Sequence, residues 1–267
     1  MSVAGKVSIG TAWTEAASFM RTERSLIAPV VLALILVPVV ISELIKPSAP
    51  AGMQPEPGSW MLVSFGALLV GMVAQLAVMR LAMGWNGSVG DVIKLAARRI
   101  WPALGAMIIA GFLFALIAIP VIVILLLIAG GAPDDVETTN RISLLFALVL
   151  FAALPRVLPV TAVVMEEHLG PWKLLRRTFT LTRGNYWRLL GFFLLFLIAS
   201  LLLAGAVTAV VGSAATLLIG PPDPLTVSRL MVALAAGILQ TLIMSVYAAM
   251  MGRIAAQLLG NGSIKAS

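Results

Sequence analysis

The sequence predicts an all-α fold: a polytopic membrane bundle of six transmembrane helices, built as three parallel repeats. Each repeat is one interfacial amphipathic helix followed by a transmembrane helical pair. Three observations lead there. The 267 residues are 61% hydrophobic and only 11% charged, with a mean hydropathy of +1.08, too little charge to cover the surface of a water-soluble domain of this length. Six apolar stretches reach the roughly 20 residues that a helix needs to cross a hydrocarbon core. Amphipathic stretches recur between them at a regular interval.

The apolar stretches run Leu26–Ile45, Trp60–Met79, Trp101–Ile128, Ile142–Met165, Trp187–Ile219 and Val227–Met251. The first is read as a retained helix, because it is longer than the apolar region of a signal peptide and Lys46-Pro47-Ser48 is a poor cleavage context. Of the 18 Lys and Arg residues, 14 fall on one set of connections: Lys6, Arg21, Arg24, Arg80, Lys94, Arg98, Arg99, Lys173, Arg176, Arg177, Arg183, Arg188, Arg253 and Lys265. The opposite set holds only Lys46, Arg141 and Arg229, and Arg156 lies inside a span. The positive-inside rule then places both termini in the cytoplasm. The acidic residues Asp134, Asp135, Glu137 and Asp223 on the outer side agree with this, though carboxylates carry little topological weight. Because the net charge of +7 is concentrated beside the spans, it points to anionic lipid rather than nucleic acid. Each basic residue near such a surface contributes about 1 kcal/mol of attraction.

The cytoplasmic connections have helical patterning of their own. Residues 8–20 place Ile9, Trp13, Ala16, Ala17 and Met20 on one face. Residues 88–100 gather Val89, Val92, Ile93, Ala96, Ala97 and Ile100 against Asp91, Lys94, Arg98 and Arg99. Residues 171–182 set Trp172, Leu175 and Phe179 against Lys173, Arg176, Arg177 and Thr180. Each predicts a helix lying in the interface rather than crossing it. Ser8 and Ser88 are N-cap residues, Ser88 with Asp91 resembles a capping box, and Gly170-Pro171 is a further helix start. Gly10, Gly90 and Gly170 are spaced 80 residues apart. The repeats are therefore placed at about 8–80, 88–167 and 168–255 within a single domain 1–267. An even number of crossings in each makes them parallel. Asn86-Gly87-Ser88-Val89 recurs as Asn261-Gly262-Ser263-Ile264, read as a turn into a frayed tail in preference to a fourth surface helix. Small-residue pairs four apart (Ala67 and Gly71, Gly205 and Ala209, Ala233 and Gly237, Ala248 and Gly252) permit close helix contact.

Residues 165–195 read MEEHLGPWKLLRRTFTLTRGNYWRLLGFFLL. Glu166 or Glu167 ends the fourth span and Gly170-Pro171 follows. A Leu181-Thr182-Arg183-Gly184-Asn185 turn then leads to Trp187-Arg188-Leu189-Leu190-Gly191 opening the next span. This stretch resembles an uncharacterised bacterial six-helix membrane-protein family, related to the membrane domain fused to some glycerophosphoryl diester phosphodiesterases. The resemblance implies an integral protein of the bacterial cytoplasmic (inner) membrane. It carries no phosphodiesterase activity over, since its motif lies wholly in the membrane part. Physical chemistry explains the same residues. Gly184 suits the left-handed residue that ends a helix, and Asn185 suits an N-cap. Tyr186 and Trp187 settle at headgroup level, where Arg183 and Arg188 can meet phosphate in a bidentate way.

Residues 154–159 read LPRVLP, with Arg156 between two prolines in the fourth span. Counting along an unbroken helix puts Arg156 about 14 Å from its inner end at Met165. Charge at that depth costs at least ~2.5 kcal/mol, so the side chain is expected to face the bundle interior. Glu167 lies about 16 Å along the axis, too far for direct contact. The available partners are the carbonyls that Pro155 and Pro159 leave free, and Gln240, Thr241, Ser245 and Tyr247 of the sixth span. Two roles stay open: Arg156 locks a kink, or it holds a phosphate or carboxylate in a cavity opened by the kink.

The chain has no cysteine and a single histidine, His168, and no span carries a paired carboxylate. No catalytic residue is assigned. His168 beside Glu166 and Glu167 is not a metal site, because neighbours on a helix point apart. No cofactor is expected. The function expected is that of a non-catalytic inner-membrane protein whose basic collar engages anionic phospholipid, as a lipid-binding protein or a scaffold for a lipid-metabolising membrane protein. The candidate headgroup-binding residues are Arg156, Arg176, Arg177, Arg183, Trp187 and Arg188. The alternative is a transporter or channel for an anionic or amphiphilic solute.

Overall fold

The computed structural model describes residues 7–47, 55–129, 136–221 and 225–260. Lys6, Lys265, Asp134, Asp135, Asp223 and the Asn261-Gly262-Ser263-Ile264 tail lie outside the described residues, as does the side chain of Glu137. The described chain is all-helical, without strands, and six of its helical stretches are long and apolar enough to cross a membrane. It is a multi-pass membrane protein.

The helices follow in order. α1 is Ile9–Thr22, α2 Arg24–Val31, α3 Val37–Ile45, α4 Trp60–Ala82 and α5 Val89–Ala129. α6 is Val136–Val157, α7 Val160–Glu166, α8 Pro171–Thr182, α9 Tyr186–Leu218 and α10 Val227–Leu258. A π-helical stretch, Leu32–Leu36, joins α2 to α3. The first span is thus α2, the π stretch and α3 in series, with Pro29 and Pro38 inside it. A proline removes an N–H from the helical ladder, and a π turn is one way the ladder re-forms around the gap. Sequence reading expects a break only in the fourth span, and so misses this one.

The predicted helix starts are present. Thr11 N–H donates to Ser8 Oγ. Ser88 Oγ accepts from Asp91 N–H at 3.1 Å and donates to Asp91 Oδ2 at 2.6 Å. Gly170 is the N-cap of α8, with Pro171 at its first position. Gly184 takes a φ of +91° just past α8, where glycine alone avoids a Cβ penalty. Asn185 occupies the N-cap of α9, but its Oδ1 accepts from Val7 N–H at 3.1 Å, so it pins the start of the chain.

One predicted element differs. Residues 88–100 do not form a separate surface helix but run unbroken into the third span as the 41-residue α5. Pro102 stands inside it without ending it. By contrast Glu23 separates α1 from α2, and Arg183-Gly184-Asn185 separates α8 from α9.

The core lies at the end of the bundle that carries α1 and α8, called here the collar end. Three returning segments are buried there: Leu76–Met79 of α4, Val160–Met165 of α7 and Ala248–Leu258 of α10, the last nearly throughout. α4 and α10 pack most extensively, and α7 touches both. A Cβ on Gly252 would sit 2.6 Å from Met79 O, so the two backbones cross almost in contact. The start of α1 is tied to the end of α10. Ser8 N–H donates to Gln257 Oε1 at 2.9 Å, and Gln257 Nε2 donates back to Ser8 O at 3.4 Å. At the opposite end Arg229 Nε donates to Glu43 O at 2.9 Å, joining α10 to α3.

Candidate functional site

The LPRVLP segment is where the fourth span ends and turns. Leu158 N–H still reaches Leu154 O at 2.9 Å, closing the last turn of α6. Pro159 then has no N–H to give, and it becomes the N-cap of α7. Thr161 Oγ1 donates to Leu158 O at 3.0 Å, satisfying a carbonyl at the break. Every residue from Val160 to Met165 is buried, packed among α4, α5, α8 and α10.

That turn changes the place of Arg156. Its expected depth rests on a straight helix from Arg156 to Met165, and the helix stops one residue after it. Arg156 is exposed, not in the bundle interior. Its guanidinium lies 5.4 Å from the ring centroid of Tyr186 and 6.0 Å from that of Phe179. These rings stand at the start of α9 and on α8. Cation–π contact of this kind contributes about 0.5–1 kcal/mol at exposed sites. Among the described residues no carboxylate pairs with Arg156.

The expected partners in the sixth span are elsewhere. Thr241 Oγ1 donates to Gly237 O and Ser245 Oγ to Thr241 O, both at 2.7 Å, so both hydroxyls serve their own helix. The Tyr247 ring packs 5.4 Å from Phe196, and Gln240 is exposed. None of the four reaches Arg156. Arg156 sits on the collar because of Phe179 and Tyr186, two rings that no spacing rule links to it.

The carboxylates that follow in sequence, at the end of α7, are already engaged. Glu166 pairs with Arg80 of α4, whose guanidinium also lies 5.2 Å from the Trp85 ring. Glu167 accepts from Arg177 Nε at 3.0 and 3.2 Å. Arg177 is therefore occupied by a structural ion pair and leaves the set of free cations. Arg188 donates to Val7 O at 2.8 Å, which makes it a tether for the start of α1. His168 is exposed beside these pairs.

What remains open is one stripe. α8 buries Leu174, Leu175, Thr178, Leu181 and Thr182. Trp172, Arg176, Phe179 and Arg183 then fall together on its exposed side, at the three- and four-residue steps of one helical face. Trp172 and Phe179 were expected to share the apolar stripe with Leu175, but they lie outside the core. Trp187, 79% exposed, stands edge-on to Tyr186 at 5.3 Å. The site thus holds Arg156, Arg176 and Arg183 interleaved with Trp172, Phe179, Tyr186 and Trp187. It offers guanidinium forks for an anion and amphipathic rings for a bilayer interface. Comparison with known proteins finds no matching family model, no matching curated protein and no matching solved structure.

Proposed function

We propose that this chain is a non-catalytic protein of the bacterial inner membrane whose collar binds the headgroups of anionic phospholipids. In this reading both termini are cytoplasmic, and α1 and α8 lie in the cytoplasmic interface as parts of three parallel repeats, the second of which carries its amphipathic turns straight into the span as α5. The exposed Trp13 in α1, Trp172 in α8 and Trp101 at the head of the third apolar stretch support that level. The reading rests above all on Arg156, an exposed guanidinium held over Phe179 and Tyr186 while the neighbouring Glu166 and Glu167 are bound to Arg80 and Arg177. A cation left uncompensated between aromatic anchors suits a lipid phosphate. The same surface can serve as a scaffold for a lipid-metabolising membrane protein.

Native mass spectrometry of protein extracted with its lipids tests this. The wild type is expected to retain anionic phospholipid in preference to zwitterionic, and Arg156→Ala to lose about fivefold in that preference, the worth of one interfacial cation. A wild type without bound lipid that carries an anionic solute into proteoliposomes would replace this reading with transport.

A further inference from the structure

A second feature lies on another side of the bundle. α2 and α10 enclose a groove of about 210 Å³, lined by Met20, Arg24, Ile27, Val31, Leu32, Ile238 and their neighbours. Its wall is almost wholly apolar although Thr241 and Ser245 contribute to it, because both hydroxyls bond back into α10. Arg24, at the first position of α2, marks the collar end of the groove. Leu32 lies eight residues further, about 12 Å along a helix. Next to Ile238 in the groove wall, Gly237 admits Leu36 Cδ1 and Val40 Cγ2, each 3.0 Å from the position of a Cβ, so the first span packs closely on α10 there. The π stretch Leu32–Leu36 begins at Leu32 in the groove wall, and such irregularities gather at functional places. Among the described residues no carboxylate pairs with Arg24, which is exposed beside the equally exposed Arg21.

A cation at one end of an apolar groove matches one kind of occupant. We propose that the groove seats one acyl chain of an anionic glycerophospholipid, with Arg24 holding its phosphate. Arg presents a planar fork that fits phosphate oxygens, and the apolar wall excludes a polar occupant beneath it. This site shares no residue with the α8 stripe and does not depend on it.

The chain has no cysteine, so Leu234→Cys, one helical turn before Ile238 and outside the groove lining, accepts a single fluorescent label without filling the groove. In vesicles of phosphatidylcholine, chain-brominated phosphatidylglycerol is expected to quench this label at about one-fifth the mole fraction that brominated phosphatidylcholine needs, a preference set by one interfacial cation. Arg24→Gln should abolish the preference. Ala28→Phe, which fills the groove from its exposed side, should also abolish it. A label placed by Leu195→Cys on the lipid-facing side of α9 should show no preference in any variant. Equal quenching by the two lipids at the Leu234 position overturns the proposal. Loss with Arg24→Gln alone marks a surface-charge effect and overturns the groove. Loss with Ala28→Phe alone overturns the phosphate contact. Arg156→Ala should leave the preference intact, which separates this site from the collar.

Discussion

α9 and α10 are neighbours of almost equal length, 33 and 32 residues, and both are long and apolar enough to cross a membrane. α9 buries only Leu189, Phe192 and Ala215, whereas α10 buries fourteen residues between Ser228 and Leu258. α9 is the more apolar of the two, yet it is the less buried, since lipid tails are as apolar as a protein core. What separates them is where the small side chains fall: those of α10 meet α4 and α3, whereas the Gly, Ala, Ser and Thr of α9 between Ala204 and Thr216 are largely exposed. Most of the buried residues of α10 are Gly, Ala, Ser or Thr, with Met250, Met251, Ile254 and Leu258 filling the gaps. The exposed surface of α9 carries large residues such as Leu195, Leu201 and Leu202 together with small ones such as Gly205, Ala209 and Ser213, and among the described residues no helix closes on either. Small residues let backbones approach, and dispersion over that close contact is the main gain available inside a bilayer.

The largest test of this contrast is at glycine. Gly252→Val puts a Cβ where Met79 O stands at 2.6 Å, and a backbone atom cannot swing aside. α4 and α10 must separate, at an expected loss of about 3 kcal/mol, the upper range for overpacking. Gly205→Val in α9, with nothing within 4 Å, is expected to change stability by less than about 0.5 kcal/mol. Reversible unfolding in mixed micelles compares the two. Equal losses would mean that α9 makes contacts as close as those of α10.

A middle effect is expected from the ion pairs that fix α7 beneath the collar. In the Arg80–Glu166 pair the side chains are 19% and 29% exposed, and Arg80 Nε is buried without a partner. Glu166→Gln strands a partly buried guanidinium and should cost about 1–2 kcal/mol, below the 3–5 of a fully buried pair. Glu167→Gln frees an Arg177 that is 37% exposed and should cost at most about 0.5 kcal/mol. The same unfolding assay ranks them. The reverse order would mean that α8, and not α4, holds α7 in place.

The sequence carries the six spans, the caps at Ser8 and Ser88, and the left-handed Gly184, because each depends on residues within a few positions of one another. It also marks LPRVLP as a break. It does not carry where Arg156 goes, since that depends on the direction α7 takes after Pro159, and α7 follows the packing of α4, α5, α8 and α10 around it. The small-residue pairs show the same limit. Ala233 with Gly237 and Ala248 with Gly252 lie at close helix contacts, while Gly71 and Gly205 have open space where a Cβ would go. The motif is alike in all four, and only the partner helix differs. The continuity of α5 is illegible for a related reason: Pro102 marks a boundary in the sequence, but Val92, Ala96, Ile100, Ala103 and Ala106 keep one helical phase across it and are buried against the same neighbours.

The smallest effect separates the polar residues of α10 from the role expected of them. If Thr241 and Ser245 held Arg156, removing their hydroxyls would strand a guanidinium and change lipid retention. Both instead donate to carbonyls four residues earlier, which already accept helical N–H groups. Such back-bonding adds little to a helix and tends to bend it. Thr241→Val keeps the side chain's shape, and Ser245→Ala removes one atom beside Ile27 and Val31 in the groove wall. Each is expected to shift stability by less than about 0.5 kcal/mol. Neither should alter the anionic-lipid preference that depends on Arg156. A drop in that preference with either variant would bring Arg156 back to α10 and away from Phe179 and Tyr186. It would also mean that the fourth span does not turn at Pro159 when the protein is in a bilayer.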